Sequence, residues 1–157
     1  MITGGVSRGK FDHLPEVMEY LGVDKHFHKV KQRPGKPFWF GTIENKCTVF
    51  ALPGNPVSSF VCANVYIKFW LRNSLKLNTQ LDLVKLSNDI TFMPPLTYFL
   101  ECSVKTSLTG ERLAESIKGN GSGDFANMTA ADGFIVLPDS QSQFKAGEVY
   151  PYIPFRF

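Results

Sequence analysis

The sequence predicts an α/β unit followed by a small all-β unit. A glycine-rich loop at residues 3–9 and an N-cap signal at Asn55 are typical of α/β proteins, where such loops join a strand to a helix. Beyond residue 73, short β-type segments alternate with polar turns, a pattern typical of a small barrel or sandwich. We therefore predict one domain over residues 1–73 and a second over residues 74–157.

The first unit opens directly in the glycine-rich loop, because only Met1 and Ile2 precede it. We expect the sequence to begin inside a domain whose preceding strand is almost absent from it. Asp12 predicts the N-cap of a helix over residues 14–21, and Gly22 predicts its end. Strands are predicted at residues 27–31, 38–42 and 48–52, with a polar turn at residues 44–46.

Two similar turns stand at the centre of this unit. Residues 34–37 read Pro-Gly-Lys-Pro and residues 53–56 read Pro-Gly-Asn-Pro. Proline favours the first corner of a turn and glycine supplies the positive φ of the second. Four cations surround the first turn, namely Lys29, Lys31, Arg33 and Lys36. The arrangement fits an anion site beside a helix N-terminus, or equally two structural turns with a solvated basic strand.

The helix after Asn55 is predicted over residues 57–71 and is apolar around nearly its whole circumference. It is either a central core helix or one buried against a second domain or subunit. Residues 76–83 then read as a linker whose end pairs as a strand. β-type segments follow at 84–90, 98–105, 112–117, 133–137 and 148–155, with an exposed corner at 93–95 and a possible short helix at 125–131.

Charge is distributed unevenly between the two units. Residues 1–73 hold ten Lys and Arg against five Asp and Glu, whereas residues 74–157 hold seven against nine. An anionic ligand therefore belongs mainly to the first unit. No basic block is long enough to indicate nucleic-acid binding, and the apolar segment 57–71 is too short and too polar for a membrane span. Three widely spaced cysteines indicate reduced thiols and a cytoplasmic protein.

Single residues allow two interpretations each. His26 and His28 have the spacing of a metal pair on a strand, but without a third ligand nearby they are better read as structural or solvent-facing. Asp12 is either a helix cap or a carboxylate that holds Mg²⁺ with phosphate oxygens. Ser7 bonds its own loop or a ligand, and Ser122 lacks the His and Asp partners of a nucleophile.

Several motifs together resemble one family. Residues 3–12 (TGGVSRGKFD), 29–37 (KVKQRPGKP), 52–58 (LPGNPVS), 121–124 (GSGD) and 133–138 (GFIVLP) occur in the order found in MoeA-type molybdopterin molybdenumtransferases, which include the gephyrin E domain. The chain resembles the C-terminal part of such an enzyme. The resemblance implies part of a molybdenum-cofactor-synthesis α/β domain followed by a β-barrel domain, in a homodimer.

The resemblance also implies an activity and its residues. It implies insertion of molybdenum from molybdate into adenylylated molybdopterin, with AMP release and dependence on Mg²⁺. Catalytic positions fall on Asp12, Lys29, Arg33 and Lys36, and Asp12 is also the metal position. Binding positions fall on Gly4, Gly5, Ser7, Pro34, Gly35, Gly54, Asn55 and Ser122. Arg33 stands where lysine is frequent, and Arg8 and Lys10 make the glycine loop more basic than is usual.

Other functions fit the same motifs. One alternative is a non-catalytic module that keeps ligand-binding or dimerisation surfaces. Another is a related α/β enzyme acting on nucleotides, which the barrel motifs disfavour. Because family members carry further N-terminal sequence, the isolated chain is expected to be inactive and to associate with itself.

Overall fold

A computed structural model describes residues 1–6, 13–117 and 128–156. The predicted site residues Ser7, Asp12 and Ser122 lie outside these ranges, as do residues 125–127 of the short helix predicted at 125–131. The chain divides into two compact units, Met1–Trp70 and Leu71–Phe157. The first is mixed α/β and the second contains a five-stranded barrel, which confirms the predicted fold class.

A four-stranded sheet forms the first unit. Its strands are β1 (Ile2–Thr3), β2 (Asp24–His28), β4 (Trp39–Ile43) and β5 (Cys47–Leu52), while β3 (Gln32–Arg33) lies in the connection between β2 and β4. The order in the sheet is β1-β5-β4-β2. β1 runs parallel to β5, with Ile2 opposite Ala51, and the other pairs are antiparallel. The parallel pair places the start of the glycine loop at the carboxyl end of β5.

The strand predicted at residues 27–31 is wrong in its position, since β2 ends at His28. Lys29 has φ 85°, in the left-handed region that a side-chain-bearing residue seldom adopts. The backbone therefore leaves the extended conformation at Lys29. The predicted turn at residues 44–46 is confirmed, because these residues connect β4 to β5 with Asn45 at φ 55°.

The first helix, α1, spans Leu14–Tyr20. Its N-cap is His13 and not Asp12 as predicted, and the His13 side chain makes no capping hydrogen bond. The helical hydrogen bonds begin there, because the His13 carbonyl accepts from the Val17 N–H at 3.0 Å. Gly22, with φ 73°, follows the helix as its predicted stop.

The second helical segment has three parts, where one regular helix was predicted. α2 (Pro56–Cys62) leads into a π-helical turn (Ala63–Ile67) and then into α3 (Lys68–Ser74). The Asn64 side-chain amide donates to the Phe60 carbonyl at 3.0 Å, next to the point where the hydrogen-bond spacing changes. At the start of the segment the side chains of Val57, Val61 and Cys62 are buried. Near its end Phe69 and Trp70 are 47% and 41% exposed. The chain itself thus covers only part of this apolar helix.

Five strands close the barrel of the second unit. They are β6 (Asp82–Leu86), β8 (Thr97–Thr106), β9 (Arg112–Ser116), β10 (Gly133–Leu137) and β12 (Val149–Pro154). Around the barrel they follow the order β10-β12-β6-β9-β8, and pairing of β8 with β10 completes the circle. β6 and β9 are parallel, and the other pairs are antiparallel. The short strands β7 (Ile90–Thr91) and β11 (Gln143–Phe144) form a separate ribbon.

This closure shows that the second unit is a barrel and not a sandwich, the two architectures that the sequence left open. Its core is apolar and includes Val84, Cys102, Ile135, Leu137 and Phe144. The predicted strands are found with shifts of up to four residues at their ends, and residues 93–95 form the predicted exposed corner. Within the described ranges, none of the helices combines the length and apolarity needed to cross a bilayer.

Candidate functional site

The glycine loop and the second Pro-Gly turn lie against each other in the first unit. The Gly4 N–H donates to the Leu52 carbonyl at 3.0 Å, which continues the pairing of β1 with β5. A Cβ placed on Gly54 would be 3.7 Å from Gly4 Cα, an ordinary van der Waals contact. Gly4 and Gly5 both have positive φ values, 89° and 71°. The backbones of the glycine loop and the second turn therefore run side by side just before α2.

Asn55 begins α2 as the sequence predicts. Its side-chain oxygen accepts from the Ser58 N–H at 3.0 Å, and its carbonyl accepts from the Ser59 N–H at 2.9 Å. Pro56 is the first helical residue, and the Ser59 hydroxyl donates to the Pro53 carbonyl. The second turn is thus fixed to the first turn of the helix, and the predicted N-terminus is confirmed. The positive φ predicted for the glycine of each turn is found at Gly35 but is wrong for Gly54.

The first Pro-Gly turn closes a hairpin that carries the cations. The Lys29 N–H donates to the Phe38 carbonyl and the Val30 N–H to the Lys36 carbonyl, each at 2.9 Å. Lys29 and Lys36 therefore lie on neighbouring stretches of backbone, and both side chains are exposed. Lys31 and Arg33 are exposed on the same connection. This hairpin concentrates positive charge in a short length of chain.

The hairpin packs on the same helix that the second turn begins. Gly35 is buried with φ 90°, and a Cβ there would be 2.7 Å from Cys62 Sγ and 3.4 Å from the Ser58 carbonyl oxygen. Only a residue without a side chain allows this approach. The glycine loop is tied to the end of β2, just before the hairpin, because His28 Nε2 lies 2.8 Å from the Val6 carbonyl oxygen. The second turn and the hairpin therefore both contact the first half of the helix, and the glycine loop contacts the second turn.

The structure thus brings most of the predicted site residues of the first unit together. Gly4, Gly54 and Asn55 lie at the start of α2, and the hairpin with Lys29, Pro34, Gly35 and Lys36 packs against its next turn. Arg33 belongs to the same connection, and Gly5 to the loop.

Three buried or half-buried polar residues of this region went unrecognised in the sequence. Gln32 is 3% exposed, and its side-chain amide donates to the Pro34 carbonyl within the hairpin. Cys62 and Tyr66, which lie on the helix, both contact the Gln32 side chain. The sequence does not predict these contacts, because Gln32 stands between two cations and the other two are single polar residues in an apolar helix. Their partners are about thirty residues away in sequence, so only the fold reveals them.

The two histidines have partners other than a metal. His26 Nε2 is 2.7 Å from the Thr42 hydroxyl, and its ring packs on Phe40 with centroids 5.3 Å apart. Among the residues that the structure describes, no three His, Cys, Asp or Glu side chains are grouped in a way that could hold a metal ion. Both rings thus make hydrogen bonds within the first unit, His26 from an exposed position and His28 from a half-buried one.

These features define a class of protein: an α/β unit whose glycine loop, helix start and basic hairpin converge, followed by a closed barrel. Residues 1–73 match the family described as a probable molybdopterin binding domain, and residues 84–155 match the MoeA C-terminal region, domain IV. These matches place the chain in the family of MoeA-type molybdopterin molybdenumtransferases, where it corresponds to the C-terminal part of its members.

Individual relatives agree with this assignment. A molybdopterin molybdenumtransferase of Synechocystis sp. is 42% identical over 153 residues, which cover 96% of the chain and 36% of the relative. The molybdenum cofactor synthesis protein cinnamon of Drosophila melanogaster is 37% identical, covering 99% of the chain and 27% of the relative. The crystal structure of a molybdopterin biosynthesis MoeA protein from Pyrococcus horikoshii superposes with a TM-score of 0.74 at 27% identity, over 99% of the chain and 37% of that structure. The chain thus spans about a third of the length of such relatives.

Proposed function

We propose that residues 1–157 provide part of the active site of an enzyme that inserts molybdenum from molybdate into adenylylated molybdopterin with release of AMP. The observation that carries the proposal is the convergence of the glycine loop, the Asn55 turn and the basic hairpin around one helix. Two family models and relatives named for this chemistry support it.

Several groups of residues in the first unit contribute to binding an anion. Lys29, Arg33 and Lys36 supply positive charge to the phosphates and to molybdate. Pro34 and Gly35 form the turn that holds Lys36. Backbone N–H groups of Gly5, Gly54 and Asn55 complete the cradle at the helix start, and Gly4, whose own N–H bonds the Leu52 carbonyl, lets the loop approach Gly54 closely. Charge that develops as the phosphate bond breaks is stabilised best by donors held in place beforehand.

Three further residues enter by resemblance alone, because they lie outside the described ranges. We propose that Asp12 holds Mg²⁺ together with phosphate oxygens, a donor set that suits this ion. Mg²⁺ would neutralise phosphate charge. Ser7 and Ser122 would donate hydrogen bonds to the ligand.

The first test concerns the charge of the hairpin. Lys36→Ala should weaken binding of adenylylated molybdopterin to residues 1–157 about tenfold, because one charge-assisted hydrogen bond is lost. It should also flatten the dependence of affinity on salt. Titration calorimetry at low and physiological ionic strength measures both.

A matched control removes the same charge elsewhere in the first unit. Lys46 is exposed in the turn between β4 and β5, so Lys46→Ala changes the net charge equally but leaves the hairpin intact. Equal weakening by the two variants would show that net charge and not the hairpin attracts the ligand. Wild-type affinity in Lys36→Ala would contradict the proposed site.

The second test separates the two interpretations of Asp12. α1 has its N-cap at His13, so Asp12→Asn should leave the stability of α1 unchanged. It should lower turnover at least tenfold, because asparagine carries no charge to hold Mg²⁺. The assay follows AMP release by a chimera in which residues 1–157 replace the matching part of the Synechocystis sp. relative. Full activity of that variant with Mg²⁺ would exclude the metal role.

A homodimer is part of the same proposal. Phe69 and Trp70 leave apolar surface exposed on the helix that begins at Pro56, and burial of such surface favours association. The three free cysteines further support a reducing compartment, so we propose a cytoplasmic location.

Binding of adenylylated molybdopterin without any turnover by the chimera would favour the alternative of a non-catalytic ligand-binding module.

A further inference from the structure

The buried side chain of Gln32 joins the basic hairpin to the helix. Its amide nitrogen donates to the Pro34 carbonyl at 2.9 Å and approaches Cys62 Sγ at 3.8 Å. Its amide oxygen accepts from the Tyr66 hydroxyl. Both polar atoms of this side chain are therefore satisfied although only 3% of the residue is exposed. A buried amide with all its partners fixes the geometry around it.

Two residues of the helix complete the connection. The Cys62 thiol donates to the Gly35 carbonyl at 3.6 Å. Burial raises the pKa of Cys62 to about 12 and, together with the neighbouring Cys62, that of Tyr66 to about 12. Both groups are thus protonated donors at neutral pH. We call Gln32, Cys62 and Tyr66 the hairpin clamp.

The π-helical turn orients the Tyr66 side chain toward Gln32. Tyr66 lies in the turn Ala63–Ile67, and its ring stacks on Phe38 with centroids 4.6 Å apart and planes 13° apart. The Phe38 carbonyl in turn accepts from the Lys29 N–H. An extra residue in the helical turn changes the direction of the side chains that follow, which is a frequent use of π turns at functional sites. The helix therefore holds both sides of the hairpin.

We propose that the hairpin clamp consists of positioning residues, which fix the turn at Pro34–Lys36 and thereby hold Lys29 and Lys36 in the geometry that binds the anion. This inference rests on the proposed function. The hydrogen bonds of Gln32 and Cys62 to the turn end on the backbone carbonyls of Pro34 and Gly35, so the clamp acts through the lysines and not on the ligand itself. Exposed lysines on a loosely held turn would lose side-chain and backbone freedom on binding, and holding the backbone beforehand removes part of that cost.

The test removes one oxygen atom. Tyr66→Phe keeps the ring stacked on Phe38 but breaks the hydrogen bond to Gln32. Hydrogen exchange of the Lys29 and Val30 amides, which span the hairpin, should accelerate about tenfold relative to the Val23 amide, which bonds Met18 in the same unit. Affinity for adenylylated molybdopterin should fall about tenfold with an unchanged salt dependence, because no charge is removed.

Two further variants give the test its controls. Gln32→Met has similar length but no polar atoms, and should reproduce both effects. Tyr150→Phe removes a hydroxyl of the barrel that donates to Glu148 at 2.6 Å and accepts from Gln141 at 2.8 Å, and it should change neither.

The outcomes separate the clamp from the proposed function. Unchanged exchange ratios in Tyr66→Phe and Gln32→Met would overturn the clamp, and accelerated exchange with wild-type affinity would overturn its link to the ligand. If wild-type protein fails to bind adenylylated molybdopterin, the proposed function fails, and the exchange ratios still decide whether the clamp fixes the hairpin.

Discussion

At the scale of single residues, the close approach of Gly35 to the helix is the tightest constraint in the candidate site. Its φ of 90° disfavours any side chain, and a Cβ would lie 2.7 Å from Cys62 Sγ and 2.8 Å from the Gln32 amide nitrogen. The sequence indicates a glycine turn here, but the position of Cys62 beside it follows only from the fold.

Gly35→Ala should therefore lower the free energy of unfolding by about 3 kcal/mol, from backbone strain plus steric overlap. Urea denaturation followed by tryptophan fluorescence measures the loss. Gly22→Ala is the control within the same unit, since Gly22 has φ 73° but a Cβ there would meet no described atom within 4 Å. It should cost only about 1 kcal/mol, the strain alone. Equal losses in the two variants would show that packing on Cys62 is unimportant.

At the scale of elements, the start of α2 is where local sequence and observed structure agree best. An asparagine followed by proline predicts the N-cap and first residue, and both are found. The end of the segment agrees less well, because a π turn interrupts it at Ala63–Ile67. Hydrophobic periodicity cannot predict such a turn, since the alternative hydrogen bonds depend on what Tyr66 contacts.

Asn55→Ala should lower the free energy of unfolding by about 1 kcal/mol, because the Ser58 N–H loses its partner. Asn55→Asp keeps an accepting oxygen and should restore the stability. The aspartate adds negative charge beside the proposed anion site, so it should still weaken binding of adenylylated molybdopterin. Thermal melting and calorimetry together measure the two effects. A melting temperature for Asn55→Asp as low as that for Asn55→Ala would show that the cap does not stabilise α2.

At the scale of the whole molecule, the two units differ in how completely they are enclosed. The barrel closes on itself and has its own apolar core. The α/β unit has an open sheet with β1 at one edge and β2 at the other, and part of its main helix is exposed. The curated relatives in which this α/β unit is found are about three times as long as the chain.

We expect residues 1–157 alone to release no AMP from adenylylated molybdopterin in the presence of Mg²⁺ and molybdate. Catalysis of this kind requires reacting groups held to within a fraction of an ångström, and the relatives contain much further sequence that could supply the remaining walls of the site. The same assay on the chimera with the Synechocystis sp. relative is the control and should show turnover. AMP release by residues 1–157 at the rate of the chimera would contradict this expectation.

Local sequence alone determined the turn at residues 44–46, the helix start at Asn55 and the alternation of strands in the second unit. Such features depend on residues a few positions apart, so proline, glycine and asparagine predict them directly. The contacts of β2 illustrate the opposite case. The sequence predicts this strand at residues 27–31, a few positions after its observed place. The strand boundary depends on pairing with β4 and on the left-handed backbone at Lys29, which the local sequence does not reveal.

Only the tertiary structure decided how the candidate site is assembled. The sequence places the two Pro-Gly turns nineteen residues apart, but it does not say that both contact one helix. Cys62 and Gln32 stand thirty residues apart and meet because β4 and β5 return the chain to the same place. Closure of the barrel through β8 and β10 likewise joins distant residues, from Gly133 opposite Cys102 to Leu137 opposite Tyr98. Contacts of this range depend on the packing of the whole unit, which local propensity does not encode.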